Sequence, residues 1–119
     1  MPFLLLIQEP LDQRAERGET AGREVYQRML DYTEALRARG VLLASSALTH
    51  VREGQSLRLR EGRRHVVDGP FAETKEMVGG FFLVDVPGRE AALALAAECP
   101  AAHWATVEVR ETGPCYVSR

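Results

Sequence analysis

The stretch TAGREVYQRMLDYTEALRARGVLLA, residues 20–44, holds a helix and a strand joined by a single glycine. Val25, Met29, Tyr32 and Leu36 recur at spacings of four, three and four, which aligns them on one stripe of a helix from about Ala21 to Arg39. Arg23, Arg28, Asp31, Arg37 and Arg39 occupy the remaining surface. Thr20 is placed to cap the first turn, and Gly40 supplies the left-handed residue that ends the last one. Val41-Leu42-Leu43-Ala44 follows at once and reads as a buried strand. Upstream, Phe3-Leu4-Leu5-Leu6-Ile7 is apolar at both parities, the pattern of a strand covered on both faces. Residues 9–19 are polar and contain Pro10 and Gly18, so they read as a loop. The result is a β-α-β unit.

A second such unit closes the chain. Gly80–Val86 is a covered strand, Pro87-Gly88 breaks it, and Arg89–Cys99 is a short Ala/Leu helix stopped by Pro100. Trp104–Arg110 then alternates Ala105, Val107 and Val109 with polar residues, as a half-buried strand does. Between the two units, Ser56–Arg60 and Arg63–Asp68 flank Glu61-Gly62 and predict a two-stranded hairpin. Two right-handed units of this length interleave into one antiparallel sheet with both helices on one face. The other face then remains apolar and bare, which a monomer tolerates poorly. A homodimer packed sheet against sheet is the expected solution.

Composition sets the outer limits. With 119 residues, 45% apolar and 27% charged, the chain fits one α+β domain over residues 1–119, with 112–119 as a tail. A compact monomer of this mass exposes roughly 6,400 Å². Its net charge of −2 leaves no footprint for nucleic acid. The opening apolar run is too short for a membrane span or a signal-peptide core, so a cytoplasmic protein with no membrane partner is expected. Cys99 and Cys115 form no Cys-x-x-Cys pair, and His50, His65 and His103 are scattered, so no metal site and no cofactor is expected. Cys99 is expected as a buried free thiol and Cys115 as an exposed one. Of fifteen basic residues only Lys75 is lysine, Ile7 is the sole isoleucine and asparagine is absent, a usage typical of a GC-rich, bacterial gene.

Against that background residues 68–82, DGPFAETKEMVGGFF, stand apart: they hold the one lysine and three of the four phenylalanines. Asp68, Glu73 and Glu76 surround Lys75 in sequence, a grouping from which a tuned site could be built. Asp68-Gly69-Pro70 is a turn whose Asp can bond the following amides. The segment, with Gly79-Gly80-Phe81-Phe82 behind it, resembles the signature of the DGPF family, a mostly bacterial branch of the YCII-related superfamily. The likeness extends over the opening strand, the tyrosine-bearing helix ending at Gly40, and the closing Val107-Glu108-Val109-Arg110.

The resemblance implies a ferredoxin-like β-α-β…β-α-β sandwich with an inserted β-hairpin, dimerising as an α+β barrel. Members are often encoded beside extracytoplasmic-function sigma factors, and YCII relatives proper are suspected enzymes with a His–Asp pair whose His lies on the first helix. Here no His precedes position 50, so the Asp alone carries over, onto Asp68. Two functions follow as expectations. One is a cofactor-free lyase or isomerase acting on a small organic substrate, with Asp68 as base, Glu73 as a second acid or base, and Lys75, Phe71, Tyr26 and Tyr32 as substrate-binding residues. The other is a non-catalytic sensor or accessory protein for a small ligand, linked to a sigma factor. A third reading makes the motif purely architectural.

Overall fold

In the computed structural model, which describes residues 1–71 and 73–116, the element order is β1 (Phe3–Pro10), α1 (Gln13–Arg17), α2 (Glu19–Ala38), β2 (Leu42–Ala47), β3 (Gln55–Arg60), β4 (Arg63–Asp68), β5 (Glu76–Val84), α3 (Arg89–Glu98) and β6 (Thr106–Glu111). Ala72 of the 68–82 segment and the last three residues of the 112–119 tail lie outside the described residues. Strands β2-β5-β1-β6 form one antiparallel sheet in that order, and β3-β4 pair separately. Each β-α-β unit therefore straddles a strand of the other. This is a mixed α+β fold with three helices, in an order consistent with the ferredoxin-like class.

The alternation along β1 divides the sheet into two faces. Phe3, Leu5 and Ile7 are buried against Tyr32 and Leu36 of α2 and against Ala92 and Leu95 of α3. Across the register, Phe3 and Leu5 oppose Val84 and Phe82 of β5, so the same face continues into the neighbouring strand. Val107 and Val109 of β6 pack onto this core from the far side. Leu36 and Leu5 are fully excluded from solvent, and the Tyr32 and Phe82 rings meet edge to face with centroids 5.2 Å apart. Leu4, Leu6, Phe81 and Leu83 point to the opposite face and are only half-buried.

Several sequence expectations are corrected. Residues 9–19 are not a plain loop: β1 runs on to Pro10, and Gln13–Arg17 form a short helix. Five residues are too few for a helix to stand alone; tertiary bonds from Arg14, described below, hold this one. α2 starts at Glu19 after Gly18 with no side-chain cap, so Thr20 lies inside the helix and caps nothing. β2 is shifted to Leu42–Ala47 and is an edge strand rather than a buried one. An irregularity between Leu42 and Ala44 leaves Leu43 without a register partner and exposed.

β5 begins at Glu76 and ends at Val84 rather than spanning Gly80–Val86, because pairing with β1 extends past the glycine pair; the remaining boundaries lie within two residues of expectation. Gly40 has a φ of 73°, and the helix ends there as the pattern requires. Glu61 and Gly62, with φ of 53° and 74°, make the hairpin turn. Cys99 is buried and Cys115 exposed. No helix among the described residues is long and apolar enough to cross a membrane.

The chain is flat. It measures 48 × 47 × 19 Å and exposes 8346 Å², well above the roughly 6,400 Å² of a compact monomer of its mass.

Candidate functional site

Helix α2 does not lie flush on the sheet along its whole length. Toward its N-terminal half it lifts from β1, β5 and β2, leaving a cavity of about 1070 Å³. Val25, Met29 and Leu30 form the helix wall, and Ile7 and Phe82 contribute to the sheet side. Ser45 and Ala47 of β2 close one flank and Trp104 another. The lining is largely apolar, as in most small-molecule sites.

Arg17, Glu19, Asp31, Glu34 and Arg37 border the cavity as well, and one further charged pair is drawn into the wall itself. Glu9, the next inward residue of β1 after Ile7, is 7% exposed. Arg14 of α1 grips it with two bonds, Nη2 donating to Oε1 at 2.7 Å and Nε to Oε2 at 3.2 Å. Arg14 also donates from Nη1 to the Leu48 carbonyl at 3.0 Å and from Nη2 to the Gly79 carbonyl at 3.4 Å. The guanidinium thus ties α1 to β1, β5 and the segment after β2. Removing a carboxylate from water is unfavourable unless it is paired and hydrogen-bonded, and the planar fork of Arg meets that need.

The Gly79-Gly80 pair makes the arrangement possible. A Cβ on Gly79 would overlap Oε1 of Glu9 and stand 2.9 Å from Nη2 of Arg14. One on Gly80 would stand 2.9 Å from the Ser46 carbonyl oxygen and would push β2 away. The β1–β5 ladder passes from Ile7↔Gly80 directly to Gln8↔Val78, so Gly79 is the extra residue of a bulge. The bulge brings both glycines to the cavity wall.

Trp104, the sole tryptophan, stands at the edge of the cavity between two guanidinium groups. Those of Arg17 and Arg28 lie 5.6 and 5.2 Å from its ring centroid. Gln13 fixes the residue by donating from Nε2 to the Trp104 carbonyl at 2.6 Å.

The residues singled out from the sequence fall in three places. Tyr26 lines the cavity. Tyr32 does not: it sits in the core and donates its hydroxyl to the Leu95 carbonyl at 2.6 Å. Burial, together with the neighbouring Cys99 and Glu98, pushes its phenol above the usual tyrosine range. Burial likewise pushes the Cys99 thiol up. Asp68, Glu73 and Lys75 are exposed and do not line the cavity.

Asp68 accepts a bond from Gln55 Nε2 at 2.7 Å across the hairpin rather than holding the amides that follow it. Lys75 forms no ion pair with Asp68, Glu73 or Glu76. Its backbone carbonyl instead accepts from Leu11 N at 3.1 Å. Phe71 stacks under the Arg58 guanidinium, 4.4 Å from ring centroid to Cζ. The 68–76 segment thus packs on the hairpin, while its continuation, Gly79-Gly80, reaches the cavity.

Glu9 and Arg14 were missed because they fall in a stretch that reads as a polar loop. The signal was present: the inward series 3, 5, 7 of β1 continues to 9, where an acid stands at a core position. Among the described residues no three His, Cys, Asp or Glu side chains are grouped to hold a metal.

Residues 1–114 match the YCII-related domain. The chain is also 36% identical, over 78 residues, to an uncharacterized protein of Rhizobium meliloti (strain 1021), an alignment that takes in 66% of this chain and 60% of that protein's length.

Proposed function

The chain belongs to the YCII-related domain family, and from that premise we propose that it binds a small, largely apolar molecule between α2 and the sheet. The observation that carries this reading is the buried Glu9, held by Arg14 in the wall of a largely apolar cavity. A core needs no such group. Gly79 gives up its side chain to admit the carboxylate, and two apolar residues in place of the ion pair would pack at no loss of stability. The resemblance of segment 68–82 to the DGPF signature supports the further proposal that the chain falls in that branch of the family.

Turnover is the second reading, and the same carboxylate favours it. A buried acid facing a bound organic molecule can accept a proton from it, the step that cofactor-free lyases and isomerases require. In this reading Glu9 acts within the cavity, and Asp68, with Glu73 and Lys75, reaches a cavity only when a second copy brings its hairpin alongside. The surface area supports a second copy. The excess over a compact monomer, about 2,000 Å² per chain and so about 4,000 Å² for two, falls in the range that obligate homodimers bury. The open face bearing Leu4, Leu6, Phe81 and Leu83 supplies its apolar centre. Without turnover, the protein is a sensor or accessory component, in keeping with the sigma-factor association its family resemblance implies.

The test begins with thermal stabilisation by small aromatic and carboxylate compounds, with Trp104 emission as a local reporter. Compounds that bind in the cavity alter that emission, and Thr33→Phe, which fills the space, abolishes the effect. Stabilisation that survives Thr33→Phe overturns the proposed site. Each hit is then assayed for consumption. A ligand left unchanged alike by wild type, Glu9→Gln and Asp68→Asn overturns the catalytic reading and leaves the binding one.

A further inference from the structure

We infer that the ligand is an amphipathic anion with a hydrogen-bond donor at its far end, an apolar hydroxy carboxylate being the simplest member of the class. The inference rests on the proposed cavity and adds polarity to it. At the deep end, four of the five N–H groups of Arg14 are engaged, with Glu9, Leu48 and Gly79. The guanidinium is therefore committed to the protein and offers little to an anion. Each Glu9 oxygen accepts one bond from Arg14 and retains a free lone pair. The group that satisfies a carboxylate oxygen is a donor, such as a hydroxyl. An incoming carboxylate would meet like charge at close range.

The mouth has the opposite character. Arg17 and Arg28 lie against Trp104, and neither forms an ion pair among the described residues. Every other arginine of this region, Arg14, Arg23, Arg37 and Arg39, has a carboxylate partner. A guanidinium resting on an indole keeps the N–H edge of its plane free for the bidentate grip that carboxylates receive from arginine. Both groups meet on the residue that borders the cavity, and Arg17 lines it directly. Between the two ends, Val25, Met29, Leu30 and Phe82 supply the apolar surface, with Asp31, Thr33, Glu34 and Arg37 also bordering the cavity along the helix. Acceptor, apolar body and cations follow one another, and the complementary molecule carries donor, apolar body and anion in the same order.

The experiment is calorimetric titration of the full chain near neutral pH with four eight-carbon probes: 8-hydroxyoctanoate, octanoate, 1-octanol and octylammonium. The expected order places 8-hydroxyoctanoate at least tenfold tighter than octanoate, 1-octanol or octylammonium, each of which satisfies at most one end. Arg17→Ala combined with Arg28→Ala reduces 8-hydroxyoctanoate affinity about tenfold and leaves 1-octanol unchanged. Glu9→Gln keeps an acceptor but removes the charge, and narrows the gap between octanoate and 8-hydroxyoctanoate. Equal binding of 8-hydroxyoctanoate and 1-octanol, or tightest binding of octylammonium, overturns the inferred polarity while the cavity reading stands. Failure of all four probes to bind, or binding that persists in Thr33→Phe, overturns both.

Discussion

Glu9 and Gly79 claim the same space: a methyl group on Gly79 would coincide with the Oε1 atom that Arg14 holds in the cavity wall. The missing side chain on β5 and the buried charge on β1 therefore form one device. Gly79→Ala must either expel the carboxylate or open the bulge. We expect it to lower stability by about 1–3 kcal/mol, the range for a buried polar group that loses its partners. In a Glu9→Ala background the same change should cost less than about 0.5 kcal/mol, because only the flexible end of Arg14 is left to move aside. Urea denaturation of the four proteins in the cycle measures the coupling, and equal costs in both backgrounds refute it.

Tyr32 makes folding sensitive to alkali. Its phenol is held above the ordinary value of 10.0, so the folded state binds that proton more tightly than the unfolded state does. The associated stability is complete below about pH 10 and is lost as pH rises from there toward the raised folded value. The Cys99 thiol adds a loss of the same sign that begins nearer pH 9.0, its ordinary value. Tyr32→Phe should lower stability by about 1 kcal/mol at neutral pH through the lost bond to Leu95. It should also flatten the fall above about pH 10, which Cys99→Ala leaves in place. Denaturation midpoints between neutral and strongly alkaline pH provide the check.

Leu36 anchors α2 with no solvent exposure. Leu36→Ala should cost about 3 kcal/mol, the transfer free energy of the lost methyls plus the void left behind. Leu30→Ala, six residues earlier on the exposed cavity wall, should cost under about 1 kcal/mol. Thermal melts distinguish the two.

The open sheet face predicts self-association. Sedimentation at micromolar concentration should give twice the 13.2 kDa chain mass. Leu6→Glu or Leu83→Arg, each at the centre of that face, should return the monomer with its helical signal intact. A wild-type monomer refutes the sheet-to-sheet dimer.

The hairpin turn carries a residue ill suited to it. Glu61 adopts a φ of 53°, a conformation that asparagine tolerates better than glutamate. Glu61→Asn should raise stability by about 0.5 kcal/mol. The gain is measurable as slower proteolysis of the β3–β4 arm.

The stripe of Val25, Met29, Tyr32 and Leu36 and the alternation of Ala105, Val107 and Val109 made most of the fold legible, because burial on one face imposes a period on the chain. Tyr32 shows the limit of that logic. Its position on the apolar stripe, the very reason it reads as helix, also places it in the core and away from the cavity. Asp68, Glu73 and Lys75 attracted notice by being dense in sequence, yet density along a chain says little about convergence in space. Glu9 and Arg14 are five residues apart and ordinary in composition. They meet only because Arg14 begins a helix too short for any periodicity to register. The glycine pair at 79–80 was visible as part of a signature, but its purpose depends on a side chain some seventy positions earlier.

The bulge at Gly79 also acts as a phase shifter. Met77 and Phe82 are five positions apart, an odd interval that ordinarily sends two strand residues to opposite faces, yet both are buried and flank the site. One supernumerary residue thus decouples the segment leading out of the hairpin from the strand that builds the core. Excising Gly79 would make the interval four, so regular pairing would keep Met77 and Phe82 on one face and preserve the sheet, while removing the kink and the gap that admits the Glu9 carboxylate. Scaffold and site are separable here by a single codon, so chains sharing this architecture can differ wholly in what their cavities accept.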